Sequence, residues 1–430
     1  MTPARYAVCE RTFRNGVRER EPFIELSPRC CITRNADMGF EPSGGAALHL
    51  SELAACGACV SLLAHLLSTL MAWRGCRRGP PARALQGKLP PVTIVQPHRG
   101  LEPFSEETVA SVFRLDYPDV EIVFCVVSDA DPVAPLLRRH IANNSGRPAR
   151  ILFGDNPISG NPKLNNIVKG WRAARHDWIV LADSNVLMPA DYLTRLISRW
   201  RGDTGLVCSP PIGARPTGFA AHLECAFLNT YQARWQYAAE AAGFGFAQGK
   251  TMLWRRKILE NAGGIEALAE EIAEDAAATK VLRRAGLSAH LVRQPFSQPL
   301  GRRKLKEVWS RQVRWARLRR ATFAPFFLPE LLTTSLVAIG GAALAAPALD
   351  MSPVVAALLA AAIWYSGEAA LALASGWPLG LWSLPAWIAR DLCLPWLWIQ
   401  GLASDRFEWR GATLSVAESE LSEVRPAPSA

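Results

Sequence analysis

Residues 92–127 read VTIVQPHRGLEPFSEETVASVFRLDYPDVEIVFCVV. VTIVQ is a nearly continuous apolar run, as in a strand buried on both faces, and EIVFCVV repeats it after a helical pattern over residues 106–114. Two such runs joined by a helix predict parallel strands with a crossover, hence an α/β sheet. The alternation continues with a helix at 132–141, ILF at 151–153, a helix at 163–174, WIVLA at 178–182, a helix at 191–200 and GLVCS at 205–209. TMLW, residues 251–254, is a further strand candidate. Ligands in such sheets bind beyond the carboxyl ends of the strands. Two acidic motifs fall there: Asp129-Ala130-Asp131-Pro132 after EIVFCVV, and Asp183-Ser184-Asn185 after WIVLA.

Outward from this core the chain turns apolar at both ends. Of 430 residues, 50% are hydrophobic and only 20% charged, and the apolar ones gather at residues 48–73 and 323–403. The first block is long enough for the ~20 residues a bilayer span needs. The late region divides into 323–349, 353–375 and 379–403; the last is interrupted by Pro385, Arg390, Asp391 and Pro395 and reads as re-entrant or interfacial. Three crossings and one re-entrant segment are expected. Much of the net charge of +10 flanks these blocks, as Arg74, Arg77, Arg78 and Arg83 and again through residues 302–320. That is the signature of cytoplasmic loops and of contact with anionic lipid, and it accounts for the charge without nucleic acid. The expected organisation is an N-terminal extension 1–45, an anchor 46–74, a Pro/Gly-rich linker 75–91, a catalytic domain 92–321, membrane or re-entrant helices 322–405 and a cytoplasmic tail 406–430. The late arrival of the first apolar block argues against a signal peptide, and Met38 is a candidate alternative start. The ten cysteines are scattered and the one CxxC, Cys56 to Cys59, lies inside an apolar block, so buried thiols in a reducing compartment are expected rather than zinc.

Sugar transfer from a nucleotide diphosphate needs a hold on the nucleotide, neutralisation of the departing diphosphate and a base for the acceptor hydroxyl. Asp183, in a DSN that differs from DxD by its last residue, suits a divalent cation such as Mg2+ or Mn2+, although Asp, Ser and Asn also favour plain turns. Asp129 and Asp131 can accept hydrogen bonds from a base or ribose; Asp131 before Pro132 is equally a helix N-cap. Glu274 and Asp275 open a helix, where the dipole favours acids; beside Glu270 and Glu271 they exceed what capping needs, and Asp275 is the candidate base. Arg311, Arg314 and Trp315 of RQVRW share a helical face, where guanidinium groups can grip phosphate and the indole can stack. A basic helix seated at lipid headgroups is the plainer reading, and it suffices for Arg317, Arg319 and Arg320. Lys163, in GNPKLNN, opens a helix where phosphate can be met. His98, His222 and His290 are single histidines of structural type. The aromatic helix at 219–237 suits either an acceptor pocket or a core.

In this order the motifs VTIVQPHRG, LDYPDVEIVFCVVSDADP, GNPKLNN, DSN, GGIEALAEEIAEDAAATK, RQVRW and, more weakly, the WRG beginning at Trp409 resemble the ceramide glucosyltransferases of glycosyltransferase family 21, relatives of the processive family 2 enzymes. The likeness covers most of residues 48–411. Asp131, Asp183, Asp275 and Arg311-x-x-Arg314-Trp315 match the family's three aspartate positions and its (Q/R)xxRW pattern. The resemblance implies a GT-A (Rossmann-like) fold with N- and C-terminal transmembrane helices, a UDP-hexose donor, Mg2+ or Mn2+, and inversion to a β-glycosyl lipid. It also implies roles: Asp131 for the nucleotide, Asp183 for the metal-diphosphate, Asp275 as general base, and Arg311, Arg314 and Trp315 for the leaving diphosphate and acceptor. Asp129, Lys163 and Glu274 are kept as substrate-binding candidates. GNPKLNN and RQVRWARLRR favour ceramide as acceptor over diacylglycerol, with one or more sugars added, or a hopanoid. The expected place is the cytoplasmic (inner) membrane with the catalytic domain facing the cytoplasm. The competing readings are a catalytically silent membrane scaffold and a polysaccharide synthase; the latter calls for a longer helical tail than this one.

Overall fold

The computed structural model describes residues 6–8, 22–24, 44–77, 89–404, 406–409 and 412–415. The proposed Met38 start, most of the linker with Arg78 and Arg83, and most of the extension and tail lie outside these residues. The chain divides into two compact units, Met1–Leu50 and Ser51–Ala430. In the first, strands β1 (Tyr6–Val8) and β2 (Pro22–Ile24) pair antiparallel. Helix α1 (Gly44–Cys76) begins there and contributes the span-length stretch Leu50–Cys76 to the second unit.

The sheet is built from β3 (Val92–His98), β4 (Val120–Val126), β5 (Ala149–Phe153), β6 (Trp178–Ala182), β7 (Thr204–Cys208), β9 (Thr251–Arg255) and β10 (Ser288–Leu291) in the order β10-β7-β9-β6-β3-β4-β5. All neighbours are parallel except β9, which runs antiparallel to β6 and β7. A smaller parallel pair joins β8 (Ile212–Thr217) to β11 (Ser297–Arg302).

The apolar runs have the two-faced burial that the sequence predicts. Ile94, Ile122, Phe124 and Val180 pack toward α2 (Ser105–Phe113), α3 (Ala134–Asn143) and α5 (Tyr192–Ile197). Val95, Val123, Cys125 and Leu181 pack toward α4 (Pro162–Ala173). Gly170 of α4 is there because a Cβ would come within 2.4 Å of Val95 and 2.6 Å of Cys125. Any side chain would lift the helix off the sheet.

Residues 219–241 form one continuous helical rod: α6 (Phe219–Cys225), a π-helical stretch Ala226–Ala233, and α7 (Arg234–Ala241). After α8 (Arg256–Glu260) and α9 (Glu274–Arg284), helix α10 (Leu305–Phe327) carries RQVRW and breaks at Phe323, two residues before Pro325. Then come α11 (Ser335–Ala345), α12 (Pro353–Ser375), α13 (Ser383–Ala403) and an antiparallel pair β12 (Arg406–Trp409) and β13 (Ala412–Ser415).

Leu50–Cys76 and Pro353–Ser375 are long and apolar enough to cross a membrane, and a pair bent by 46°, Leu305–Thr333 with Ser335–Leu349, is a third candidate if taken as one span. Leu53, Val60 and Leu63 on α1 and Leu358, Leu359 and Leu373 on α12 are exposed, which fits lipid contact.

The break expected at residues 385–395 is absent. α13 is one helix across Pro385 and Pro395, and Arg390 and Asp391 are buried rather than interrupting it. Arg390 grips Glu368 of α12 with both terminal nitrogens (2.9 and 2.6 Å), donates from Nε to Asp391 (2.9 Å) and reaches Thr230 Oγ1 at 3.0 Å. Thr230 in turn donates to Glu368 at 2.7 Å, and Arg234 Nε donates to the Thr230 carbonyl at 2.8 Å. Fully paired charge is what burial among helices requires.

Among the described residues every cysteine is free: Cys56 and Cys59 lie exposed on α1, while Cys76, Cys125, Cys208 and Cys225 are buried thiols as expected.

Candidate active site

β9 begins where β6 ends and runs back antiparallel to it, and the pairing extends one residue further, with the Asp183 N–H donating to the Lys250 carbonyl at 3.0 Å. This brings DSN and the glycine-rich residues 249–250 to the same edge of the sheet. α4 arrives with Asn161 capping it, the side-chain oxygen accepting from the Lys163 and Leu164 N–H groups, and Pro162 fitting the first turn. Lys163 therefore projects from a fixed first turn. Its Nζ lies 2.6 Å from Asp183, 2.6 Å from Glu274 at the start of α9, and 2.6 Å from the Gly249 carbonyl. The second Asp183 oxygen takes Lys250 Nζ at 2.8 Å, and Lys250 also reaches Asn185 Oδ1 at 3.2 Å. Glu274 is completed by Asn161 Nδ2 at 2.7 Å.

Asp275 lies beside this group, each carboxylate oxygen accepting one backbone N–H: Gly249 at 2.9 Å and Ala276 at 2.9 Å. Gly249 has to lack a side chain, since a Cβ would stand 2.8 Å from Glu274 and 3.3 Å from both Asp275 and Lys163. The electrostatics separate the aspartates. Burial and then the charge of Glu274 raise the Asp275 carboxyl to about 6, against the N–H bonds that favour its ionised form. Burial would raise Asp183 too, but the Lys163 and Lys250 ammonium groups outweigh it and hold Asp183 well below the usual carboxylate range. Lys163 is pushed above its ordinary value by Asp183 and Glu274 although burial opposes its charge.

Asp131 follows β4, and Asp183 follows β6, on either side of β3. The Asp131 carboxylate accepts from the Gly100 N–H (2.9 and 3.0 Å) and the Val133 N–H (2.9 Å), tying the loop after β3 to the loop after β4. Gly100 sits at φ 68°, which favours glycine. Asp131 is thus not the residue that caps α3, where Val133 holds the N-cap position. Asp129 is exposed and ion-paired with Arg138 on α3.

On the other side of the site, Arg311 pairs with Glu224 of α6, a carboxylate only 1% exposed that Arg303 also approaches at 3.3 Å. Trp315 packs against Cys225, Leu228 and Leu300, so Arg311 and Trp315 of RQVRW both turn toward α6 and its π-helical continuation. Gln312, between the two arginines, accepts from Gln232 at 3.1 Å. Arg314 is partly buried on the same helix. An open cleft of about 290 Å3, open solvent included, reaches from Ser184 and Asn185 to Arg303 and is lined also by Glu102, Phe104 and Ser105. Glu224 and Lys250 were not among the candidates from sequence. The available signals were an acid within an aromatic helix, which must find a cation if buried, and a lysine directly after a glycine at a strand start.

Among the described residues no three His, Cys, Asp or Glu side chains converge as a metal cage. Asp183 and Asn185 do offer a carboxylate and an amide oxygen, hard donors that fit Mg2+ or Mn2+ when substrate oxygens fill the remaining positions. His98 is a core histidine bonded to Gln96 at 3.0 Å and lowered by burial to about 3, and His290 is tied to Glu240 and Asp203.

The family described as glycosyl transferase family 21 matches residues 53–421. Ceramide glucosyltransferase 1 of Caenorhabditis elegans is 27% identical over 57% of this chain and 53% of its own length. Ceramide glucosyltransferase 3 of the same organism is 24% identical over 76% and 73%. The ceramide glucosyltransferase of Komagataella phaffii is 39% identical over 25% and 22%. The chain thus spans about half the length of the first of these relatives. Among solved structures, a mannosyltransferase from Pyrobaculum calidifontis in complex with GDP-Man and Mn2+ is 20% identical over 82% of this chain and 99% of its own, with a TM-score of 0.49.

Proposed function

The chain belongs to glycosyl transferase family 21, and from that premise we propose that it is a membrane-bound, inverting GT-A glycosyltransferase. It moves glucose or another hexose from a UDP-sugar to the hydroxyl of a membrane lipid, ceramide before diacylglycerol or a hopanoid. The observation that carries this reading is Asp275. Its carboxyl is raised toward neutrality, its oxygens each fixed by a backbone N–H, beside a lysine-bound aspartate kept ionised.

In the proposed reaction Asp275 accepts the proton of the acceptor hydroxyl as that oxygen bonds to the anomeric carbon and the bond to the diphosphate breaks. A base with a carboxyl near 6 is unprotonated at neutral pH and still basic enough to take a proton in the transition state. Glu274, ion-paired with Lys163 and accepting from Asn161 Nδ2, orients the first turn of α9, and after burial its charge helps keep Asp275 raised. Asp183 and Asn185 would hold Mg2+ or Mn2+, which supplies positive charge for the departing diphosphate. Arg311, Arg314 and Trp315 serve the diphosphate and acceptor from the α6 side, Arg311 held by Glu224. Asp131 shapes the nucleotide end through the Gly100 loop, with Asp129 at its rim. Residues 92–321 are the proposed catalytic domain, seated on the cytoplasmic face of the inner membrane by the basic residues that flank the apolar helices.

Purified protein in detergent, given UDP-glucose and Mn2+ with either ceramide or diacylglycerol, tests this by mass spectrometry of the lipids. One added hexose on ceramide is expected. Transfer to diacylglycerol alone would move the acceptor assignment, and no transfer to any lipid with any UDP-hexose would sink the reading in favour of a silent scaffold.

A further inference from the structure

Asp183 is saturated by the chain's own cations. One oxygen is held by Lys163 and the other by Lys250, and Lys250 also takes the Asn185 amide oxygen. Lys250 Nζ therefore bridges the same two oxygens that would receive a divalent cation. We propose that Lys250 is an exchangeable counter-ion that closes the cation position at Asp183 and Asn185 until the donor diphosphate arrives.

The two lysines are not equivalent. Lys163 has three partners, Asp183, Glu274 and the Gly249 carbonyl, each at 2.6 Å, and grows from a capped helix turn, so it belongs to the fixed frame. Lys250 has only the Asp183 contact at 2.8 Å and a longer one to a neutral amide at 3.2 Å. Its position is set by its backbone pairing with Asp183, which leaves the side chain free to swing while the strand stays in place. The cleft lined by Ser184 and Asn185 opens beside it and gives it somewhere to go.

Charge decides when the exchange happens. Each oxygen of Asp183 already carries an ammonium group, so a divalent cation entering alone meets two positive charges in contact with its carboxylate and has to displace one. A diphosphate supplies the missing negative charge, and cation and donor are then taken up together. Free cation without nucleotide is turned away. This inference rests on the proposed glycosyl transfer only for the identity of the diphosphate; the exchange itself is read from metal binding.

The test is Mn2+ binding by the full chain in detergent, followed by the electron paramagnetic resonance of free Mn2+, with and without UDP. The wild type is expected to bind Mn2+ weakly alone and on the order of tenfold more tightly with UDP. Lys250→Met should tighten binding without UDP by roughly tenfold, and so remove most of the UDP effect. Lys169→Met, which deletes the same charge from α4 at a side chain bonded to Gly154 and Asn166 instead, should change it by less than about twofold. Unchanged Mn2+ affinity in Lys250→Met, or equal tightening in both variants, overturns the proposal. If Lys250→Met does not fold, Lys250→Gln takes its place and must show the same direction. Lipid transfer assayed on the same preparations separates the two ideas. An active enzyme with no exchange sinks the Lys250 role alone, and exchange without transfer sinks the activity while leaving Lys250 standing.

Discussion

At the carboxyl edge of the sheet Lys163 lies between Asp183 and Glu274; between the apolar helices α12 and α13 Arg390 lies between Glu368 and Asp391. The ingredients match, two acids about one cation with further polar groups attached, but the surroundings do not. Glu368 and Arg390 are fully buried, whereas Asp183, Lys163 and Lys250 keep about a fifth or less of their side chains exposed beside an open cleft. In the buried cluster of α12 and α13 Arg390 offers a planar fork with a fixed set of acceptors. At the sheet edge the cations are lysines, point charges of which Lys163 is held by three partners and Lys250 by two. Partial exposure and a cation held by two partners leave room for a substrate; full burial and a fork leave only a fastening between α12, α13 and the π-helical stretch.

The sharpest way to break the comparison is to remove one residue from each cluster and ask what is lost. Asp275→Asn should lower kcat by about 10²–10⁴ in the lipid-transfer assay, the range for loss of a general base, while the protein still unfolds cooperatively. Arg390→Met should do the reverse, costing roughly 3–5 kcal/mol of stability because Glu368 and Asp391 are left buried without their partner. Thermal unfolding in detergent measures this, and the surviving folded fraction should keep its kcat. Changing Glu368, Arg390 and Asp391 together to apolar residues should recover most of the loss.

A smaller effect sharpens the electrostatic half. The Asp275 carboxyl is raised in the folded chain, so the protonated form is favoured by folding: that stability is present below the unfolded value near 3.9 and is lost as pH rises to about 6. Asp183 is lowered, so its contribution has the opposite sign and is lost as pH falls below the unfolded value. Asp275→Asn should therefore raise Tm by about 2–4 °C at pH 7.5, with the gain shrinking toward pH 5, whereas Asp183→Asn should lower it. In the wild type kcat/KM should decline on acidification below about pH 6 as the base is protonated. A flat profile from pH 5 to 8 would remove Asp275 from that role.

The contrast also explains what the sequence could and could not reveal. The strands from Val92 to Cys208 were legible because burial on both faces writes an apolar run that needs no distant partner to be recognised. The direction of β9 was not, since a strand such as TMLW looks the same either way round, and it is this reversal that carries Gly249 and Lys250 to DSN. Asp183, Glu274 and Asp275 were legible as acids at element ends, but the lysine joining two of them is set by tertiary pairing between positions up to 111 residues apart. Pro385, Arg390, Asp391 and Pro395 were read as a helix break because each is unfavourable alone in an apolar helix. Glu368, in the preceding apolar segment, was the signal that the charges had a partner. Arg311 was legible as a cation of the site, and its carboxylate Glu224 was hidden in a helix whose aromatic residues pointed only to a core.

The π-helical stretch Ala226–Ala233 has a consequence for how this chain tolerates change in length. Glu224, toward Arg303 and Arg311, and Thr230 with Arg234, toward the buried Glu368–Arg390 cluster, sit on one rod and face different partners. Their relative angle depends on the wider winding between them. Deleting a single residue from 226–233 would let the rod return to ordinary winding with its two ends facing nearly as before, because a π turn holds about one residue more than an α turn. One residue more in the same stretch, with no further widening to absorb it, would instead rotate one end by about 100° and take either Glu224 from its arginines or Thr230 from Arg390.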